Sequence, residues 1–170
     1  MSPTTRGDLA ELAAAVLAAA RLHHATIATA ESLTGGQLAA ALTSVPGAST
    51  SYLGGVVTYA TRLKQDLLGV PDEVVATVGV VSAECAEAMA DGVRRLTGAT
   101  HAVATTGVAG PDAQEGKPAG TVYVGLASPG GTRAVRLAVG GDRARIQHDT
   151  CVDALAELTG ALTGEEPPVG

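Results

Sequence analysis

A serine, a tyrosine and a lysine lie close together along one otherwise apolar part of the chain. Tyr59 follows Ser49 by ten residues and precedes Lys64 by five, so a hydroxyl, a phenol and an amine share a short span. A serine hydroxyl attacks a carbonyl poorly unless a base takes its proton, and a lysine can be that base where burial lowers its pKa. Lys64 follows an apolar segment, where such burial is available. The three residues therefore suit nucleophilic catalysis with Ser49 as the nucleophile.

The same three residues also suit purely structural roles. Lys64 would then extend along the surface from the first turn of a helix, with its ammonium group in water. Tyr59 would fill the core, and Ser49 would cap a turn. Because the spacing agrees with either interpretation, the choice depends on the rest of the chain.

Glycine-containing loops follow predicted strands at three places. They are the segments 30–36 (AESLTGG) and 105–112 (TTGVAGPD) and the stretch around Ser49. In open α/β sheets ligands bind beyond the strand ends, and the amides at helix starts attract anions. Each loop could equally be only a tight turn, because glycine is the usual residue where the backbone φ is positive.

Short apolar segments rich in β-branched residues alternate with helical patterns through the first two thirds of the chain. A strand pair around a Pro-Gly-Gly turn and a final helix follow. Strands are predicted at 26–31, 54–61, 101–107, 121–128 and 132–139, and helices at about 5–22, 37–45, 62–69, 83–96 and 142–162, with a short one from 71. This order predicts an α/β fold with three layers, α/β/α, around a mixed, partly parallel sheet with a C-terminal hairpin.

Length and composition favour one ordered domain. The chain has 170 residues, of which 46% are hydrophobic and 16% charged, and it shows neither an internal repeat nor a linker. A chain of this size can bury a sizeable core without disulfides or metals. We expect residues 1–170 to form a single domain, with its core at about 8–163 and a flexible tail at 164–170.

Charge and cysteine usage limit the classes of partner. A net charge of −6 and the absence of Phe and Trp provide no basic surface for phosphate backbones and no platform for stacked bases, which argues against nucleic acid. The apolar stretch 9–20 is interrupted by Glu11 and is too short to span a bilayer, so we expect neither a signal sequence nor a membrane segment. Cys85 and Cys151 are far apart and suit reduced core thiols, which favours a cytoplasmic protein.

No metal-binding or nucleotide-cofactor motif appears. The four histidines have no matching pattern of Cys, Asp or Glu around them: they are His23, His24, His101 and His148. A P-loop, a GxSxG elbow and a GxGxxG segment after the first strand are also missing from the sequence. We therefore expect no metal and no cofactor.

Five motifs occur in the order seen in one known family. They are TAESLTGG, VPGASTSYLGGVVTYATRLKQDLLGV, AVATTGVAGPD, KPAGTVYVG and GGDR. Over residues 8–160, approximately, the sequence resembles the C-terminal domain of the competence/damage-inducible protein CinA. Stand-alone members of that family hydrolyse nicotinamide mononucleotide to nicotinic acid mononucleotide and ammonia, with a serine, a lysine and a nearby tyrosine and without a metal. The resemblance implies the same activity here, with Ser49, Lys64 and Tyr59 as the catalytic residues.

A nucleotide substrate also needs partners for its phosphate and for the oxyanion formed during attack. We expect the oxyanion to bind backbone amides around Ser49 and Thr50. Arg143 could supply charge to the phosphate or could simply face solvent, and Lys117 competes for that role or lies on the loop surface. Further hydroxyls and amides for substrate binding are expected from Ser32, Thr34, Gly35, Gly36, Thr106 and Gly107.

The chain departs from the family pattern at two places. Family members often have Cys after the serine of the first motif and Ser-Asn after the tyrosine, whereas this chain has Leu33 and then Ala60 and Thr61. These differences could change contacts in the pocket, but they leave the three implied catalytic residues in place.

Other functions fit the same sequence. The chain could be a non-catalytic module of this family that acts through a protein partner, or an amidase for another small carboxamide. The Ala-rich first helix and the apolar last helix also have enough non-polar surface for a homodimer contact.

Overall fold

The computed structural model describes residues 8–165. The predicted start of the first helix near residue 5 and most of the predicted tail lie outside this range. The helices are α1 (Leu9–Leu22), α2 (Gln37–Thr43), α3 (Thr61–Leu68), α4 (Asp72–Thr77), α5 (Ala83–Thr97) and α6 (Arg143–Thr163). The strands are β1 (Ile27–Glu31), β2 (Tyr52–Val57), β3 (His101–Gly107), β4 (Thr121–Ser128) and β5 (Gly131–Ala138), and a 3₁₀ turn at Ala48–Thr50 precedes β2.

The five strands form one mixed sheet in the order β2-β1-β3-β4-β5. β2, β1 and β3 are parallel, whereas β4 is antiparallel to both β3 and β5. The helical crossovers between the first three strands bring their carboxyl ends to the same edge of the sheet. The α/β class, the mixed sheet and the C-terminal hairpin predicted from the sequence are confirmed.

Helices cover the sheet on both faces, which gives the three predicted layers. On one face Ile27 of β1 and Val103 of β3 pack with α1, α2 and α6. On the other face small residues of the same strands, such as Ala28 and Ala102, pack with α5. Successive residues of a strand point to opposite faces, so this alternation of large and small side chains places α5 close to the sheet. Gly125 of β4 permits that approach, since a Cβ there would collide with the backbone of α5.

Side-chain caps define where the two longest helices after β2 begin. Ser82 Oγ accepts a hydrogen bond from the Cys85 amide at 3.1 Å, and Asp142 Oδ1 accepts one from the Arg145 amide at 2.9 Å. Ser82 directly precedes the helix predicted at 83–96, and Asp142 is the first residue of the helix predicted at about 142–162. Each side chain satisfies an amide that the first turn leaves unpaired.

The second strand differs from its prediction. β2 begins two residues earlier than residue 54 and ends at Val57, so Tyr59 lies in the short link between β2 and α3. Tyr52 is the register partner of Ile27 in the neighbouring β1, and its hydroxyl lies 2.7 Å from Thr29 Oγ1. No helix within residues 8–165 is long and apolar enough to cross a membrane.

Candidate active site

A cavity of about 320 Å³ lies at the edge of the sheet where the parallel strands end. Residues from the ends of β1, β2 and β3, from the loop after β3 and from the start of α6 line it. Six of the residues in its wall could bind or react with a ligand: Ser32, Tyr59, Lys64, Thr106, Gly107 and Arg143. This is the edge at which α/β sheets usually bind their ligands.

Lys64 is the most unusual side chain in the cavity, because it is a lysine with only 1% of its surface exposed. Its Nζ lies 2.9 Å from Ser32 Oγ, 2.6 Å from the Thr58 carbonyl oxygen and 3.3 Å from the Tyr59 carbonyl oxygen. Within residues 8–165, no carboxylate forms a salt bridge with it. A neutral amine has two N–H groups and one lone pair. It can donate to the two carbonyls and accept the Ser32 proton.

Burial lowers the pKa of Lys64, because the ammonium form loses its hydration in this environment. The negative charge of Glu115 acts in the opposite direction and raises that pKa. The Cys85 thiol also faces the amine, but burial raises its own pKa to about 11, so it is uncharged near neutral pH. The result is an amine that loses its proton more readily than an ordinary lysine.

Ser32 follows the last residue of β1 and is fixed by backbone hydrogen bonds on both sides. Its amide donates to the Thr105 carbonyl at 3.0 Å, and its carbonyl accepts from the Gly35 amide at 3.1 Å. Gly35 has a φ of +58°, which allows the chain to turn back toward the serine. These contacts aim the Ser32 hydroxyl at Lys64.

The structure does not bring Ser49 and Lys64 together in one cavity. Ser49 is exposed in the 3₁₀ turn before β2, whereas Lys64 follows the end of that strand. The six residues of β2 are extended, so they separate the two ends by about 20 Å. Ser49 instead lines a second cavity, of about 530 Å³, together with Pro46 and Leu53. The Thr50 amide, expected to bind the oxyanion, donates to the Gly47 carbonyl at 3.2 Å.

Three of the predicted substrate-binding residues belong to a different interaction. The Thr34 hydroxyl donates to Glu31 Oε1 at 2.7 Å and lies 2.8 Å from Thr105 Oγ1. The Gly36 amide donates to Glu31 Oε1 at 3.2 Å, and the Gly35 amide is used by the Ser32 carbonyl. These groups are satisfied inside the protein, and none of the three residues lines the cavity.

Glu31 occupies the helix start that the sequence suggested for a phosphate. Its carboxylate is fully buried and accepts from the Leu38 amide at 2.9 Å and the Ala39 amide at 3.0 Å, in addition to the Gly36 amide and the Thr34 hydroxyl. The positive end of the α2 dipole therefore stabilises a side chain of the protein itself. This contact holds the turn that carries Ser32.

We expect Glu31→Gln to lower the free energy of unfolding by about 2 kcal/mol, because an amide NH₂ replaces one acceptor oxygen among buried N–H groups. Urea denaturation of the two proteins measures the change. Glu11→Gln, an exposed carboxylate in the first turn of α1, is the matched control and should change stability by less than about 0.5 kcal/mol. Equal stability of Glu31→Gln and the parent would contradict this assignment.

Tyr59 and Arg143 meet at the mouth of the cavity. Arg143 is the first residue of α6, and its guanidinium donates to the Tyr59 hydroxyl at 3.0 Å and to the Gly110 carbonyl at 2.8 Å. The Tyr59 side chain is 62% exposed. The backbone carbonyl of Tyr59 contacts Lys64, while its phenol contacts Arg143. Tyr59 was expected among the catalytic residues, but its phenol contacts the guanidinium of Arg143 rather than the amine of Lys64.

The two cysteines lie in the core, as expected. Cys85 and Cys151 are free, buried thiols, and burial raises the pKa of Cys151 to about 12. Among residues 8–165, no group of three or more His, Cys, Asp or Glu side chains could hold a metal ion.

Sequence reasoning placed Ser32 among the binding residues and missed it as the partner of the lysine. The available signal was its position directly after a buried strand, since the carboxyl ends of neighbouring parallel strands meet at one edge. Ser49 was predicted instead because it shares a short span with Lys64 and because the family's catalytic serine was assigned to it by resemblance.

Comparisons with known proteins agree with this architecture. Residues 9–162 match the family model described as the CinA C-terminal domain. The chain is 54% identical over 142 residues to a CinA-like protein of Frankia casuarinae, covering 82% of this chain and 32% of that protein. It is 47% identical over 143 residues to a CinA-like protein of Solibacter usitatus, covering 84% and 34%. The chain thus spans about a third of the length of these curated relatives.

Solved structures show the same similarity. A CinA superfamily protein of Klebsiella pneumoniae superposes with a TM-score of 0.90 at 34% identity, covering 93% of this chain and 99% of that one. A competence/damage inducible protein of Agrobacterium tumefaciens superposes with a TM-score of 0.86 at 37% identity, covering 96% and 99%.

Proposed function

The chain belongs to the CinA C-terminal domain family, and from that premise we propose that it is an amidohydrolase with Ser32 as nucleophile and Lys64 as general base. The observation that carries the proposal is the 2.9 Å separation between Ser32 Oγ and the buried Nζ of Lys64. A base must lie within hydrogen-bond reach of the proton that it takes, and its pKa must allow the neutral form. Ser49, by contrast, is exposed and lines the second cavity.

The reaction begins with proton transfer. Neutral Lys64 takes the Ser32 proton as the serine oxygen attacks the carboxamide carbon, which forms a tetrahedral oxyanion. The protonated lysine then gives its proton to the departing nitrogen, so that ammonia leaves and an ester on Ser32 remains. Water hydrolyses this ester with Lys64 again acting as the base, which restores the free serine and releases the carboxylate product.

The amide of Leu33 is the candidate oxyanion donor. The peptide between Ser32 and Leu33 is held by the Gly35 amide, which donates to its carbonyl at 3.1 Å. The Leu33 N–H makes no hydrogen bond within residues 8–165 and belongs to the residue that follows the nucleophile. Loss of one such donor typically costs about 3 kcal/mol of transition-state stabilisation.

The cavity suits a small nucleotide, and we propose nicotinamide mononucleotide as the substrate. Its volume of about 320 Å³ is within the range of small-ligand sites, and its apolar wall includes Val80 and Val108, against which a pyridine ring can pack. Arg143 is the cationic residue at the mouth, where it can exchange its contacts with Tyr59 and Gly110 for a phosphate. The products would be nicotinic acid mononucleotide and ammonia.

An ammonia assay with a chelator present tests this proposal. Nicotinamide, its riboside and its mononucleotide are compared as substrates, and we expect the mononucleotide to have the highest kcat/KM. Equal turnover of the three would instead favour an amidase for other small carboxamides. No ammonia from any of them would favour a binding module without catalysis.

Arg143→Ala should raise KM for the mononucleotide roughly tenfold with little change in kcat, because the lost contact acts equally in the ground and transition states. The riboside, which has no phosphate, should respond much less. Arg21→Ala is the matched control. Arg21 lies in the last turn of α1, which precedes β1, whereas the cavity lies beyond the carboxyl end of that strand. An unchanged KM would remove Arg143 from phosphate binding.

A further inference from the structure

Two walls of the cavity come from segments that are far apart in sequence. One acidic and one basic side chain join them by hydrogen bonds. The loop after β3 carries Glu115 and Lys117, and the segment before α5 carries Val80 and Val81, which line the cavity. We propose that Glu115 and Lys117 form a clamp that holds this wall of the cavity in position beside the carboxamide of the bound substrate. This inference rests on the proposed function.

Glu115 binds backbone amides, and Lys117 binds backbone carbonyls, of the same segment. The Glu115 carboxylate accepts from the Val80 amide at 2.9 Å and from the Val81 amide at 3.0 Å. Lys117 Nζ donates to the Val78 carbonyl at 3.2 Å and also to the Val81 carbonyl. The two side chains are 3.8 Å apart as an ion pair. Hydrogen bonds of charged groups are stronger than neutral ones, so four of them fix the segment firmly.

The backbone is shaped to allow this contact. Gln114 and Lys117 exchange two backbone hydrogen bonds, of 3.0 and 2.9 Å, around a two-residue turn. Both turn residues have positive φ, +53° at Glu115 and +71° at Gly116. A glutamate rarely adopts this conformation, and such outliers concentrate at functional sites. On the opposite side Gly79 has no Cβ, and a Cβ there would collide with the Glu115 carboxylate.

The clamp also places a negative charge near the base. Burial lowers the pKa of Lys64, and Glu115 partly offsets that effect. The other groups that face the Lys64 amine are the Ser32 hydroxyl, the Thr58 and Tyr59 carbonyls and the uncharged Cys85 thiol. The hydrogen bonds of Glu115 hold the wall beside the amine, and its charge acts on the pKa of Lys64 in the direction opposite to burial.

Glu115→Gln tests both parts of the clamp. We expect hydrogen exchange of the Val80 and Val81 amides to accelerate roughly tenfold, since one of two charged acceptor oxygens is lost. KM for the mononucleotide should rise roughly threefold to tenfold, with a smaller change in kcat. The acid limb of the pH profile of kcat/KM should move to lower pH, because the charge that raises the pKa of Lys64 is gone.

Controls separate this proposal from the proposed function. Glu84→Gln removes one exposed carboxylate from the first turn of α5 and should leave exchange, KM and the pH profile unchanged. Lys117→Met should accelerate the same amides even if Glu115→Gln fails to fold. If the parent protein releases no ammonia, the proposed amidohydrolase function is rejected. Amide exchange and an NMR titration of Lys64 still test the clamp. Unchanged exchange and an unchanged Lys64 titration in Glu115→Gln would overturn it.

Discussion

Ser32→Ala is expected to reduce ammonia release from nicotinamide mononucleotide by roughly 10⁴-fold or more, the scale seen when the nucleophile of a serine hydrolase is removed. The reason is geometric, because Ser32 is the hydroxyl that lies 2.9 Å from the buried lysine amine. The measurement is the rate of ammonia release at substrate concentrations from below KM to saturation, which gives both kcat/KM and kcat. Thermal unfolding should change little, since the variant loses one side-chain hydrogen bond, worth about 1 kcal/mol.

Ser49→Ala is the matched control for this prediction. It removes the same hydroxyl from an exposed turn at the other end of β2, and activity within about twofold of the parent is expected. The opposite pattern, with an inactive Ser49→Ala and an active Ser32→Ala, would show that the catalytic serine is the one the sequence suggested. The site described above would then be rejected.

Lys64→Met should remove activity to a similar extent while preserving the fold. Methionine fills a similar volume but has no amine, so Ser32 keeps its proton. In the parent, kcat/KM should rise with pH through the pKa of Lys64, which lies below the ordinary value of 10.5. Residual activity in Lys64→Met with the parental pH dependence would contradict the role of this lysine as the base.

The same lysine predicts how stability depends on pH. The unfolded chain binds the Lys64 proton more tightly than the folded chain, because burial lowers the pKa of the amine in the fold. The free energy of unfolding therefore rises with pH from the folded pKa up to the ordinary value of 10.5. Lys64→Met lacks this contribution. Urea denaturation at pH 7 and 10 should thus show the parent gaining stability relative to the variant as pH rises.

The sequence by itself determined the elements and the class of fold. Periodicity and β-branched content located β1, β3, β4 and α6 to within about two residues. The starts predicted for the helices at 83 and at about 142 agree with α5 and α6 to within one residue. Their caps, Ser82 and Asp142, are local features, since each acceptor lies beside the amides that it satisfies. The sequence also identified Lys64 as a candidate base, since a lysine just after an apolar strand is positioned for burial.

Only the tertiary structure decided which hydroxyl the lysine meets. Ser49 is nearer in sequence, but an extended strand separates it from Lys64, whereas Ser32 is 32 positions away and comes from the neighbouring parallel strand. Likewise, Glu31 accepts from the Gly36 amide, which was expected to bind substrate, and Lys117 donates to backbone carbonyls. Local signals depend on contacts within a few residues. Partner choice depends on strand order and register, which long-range packing sets.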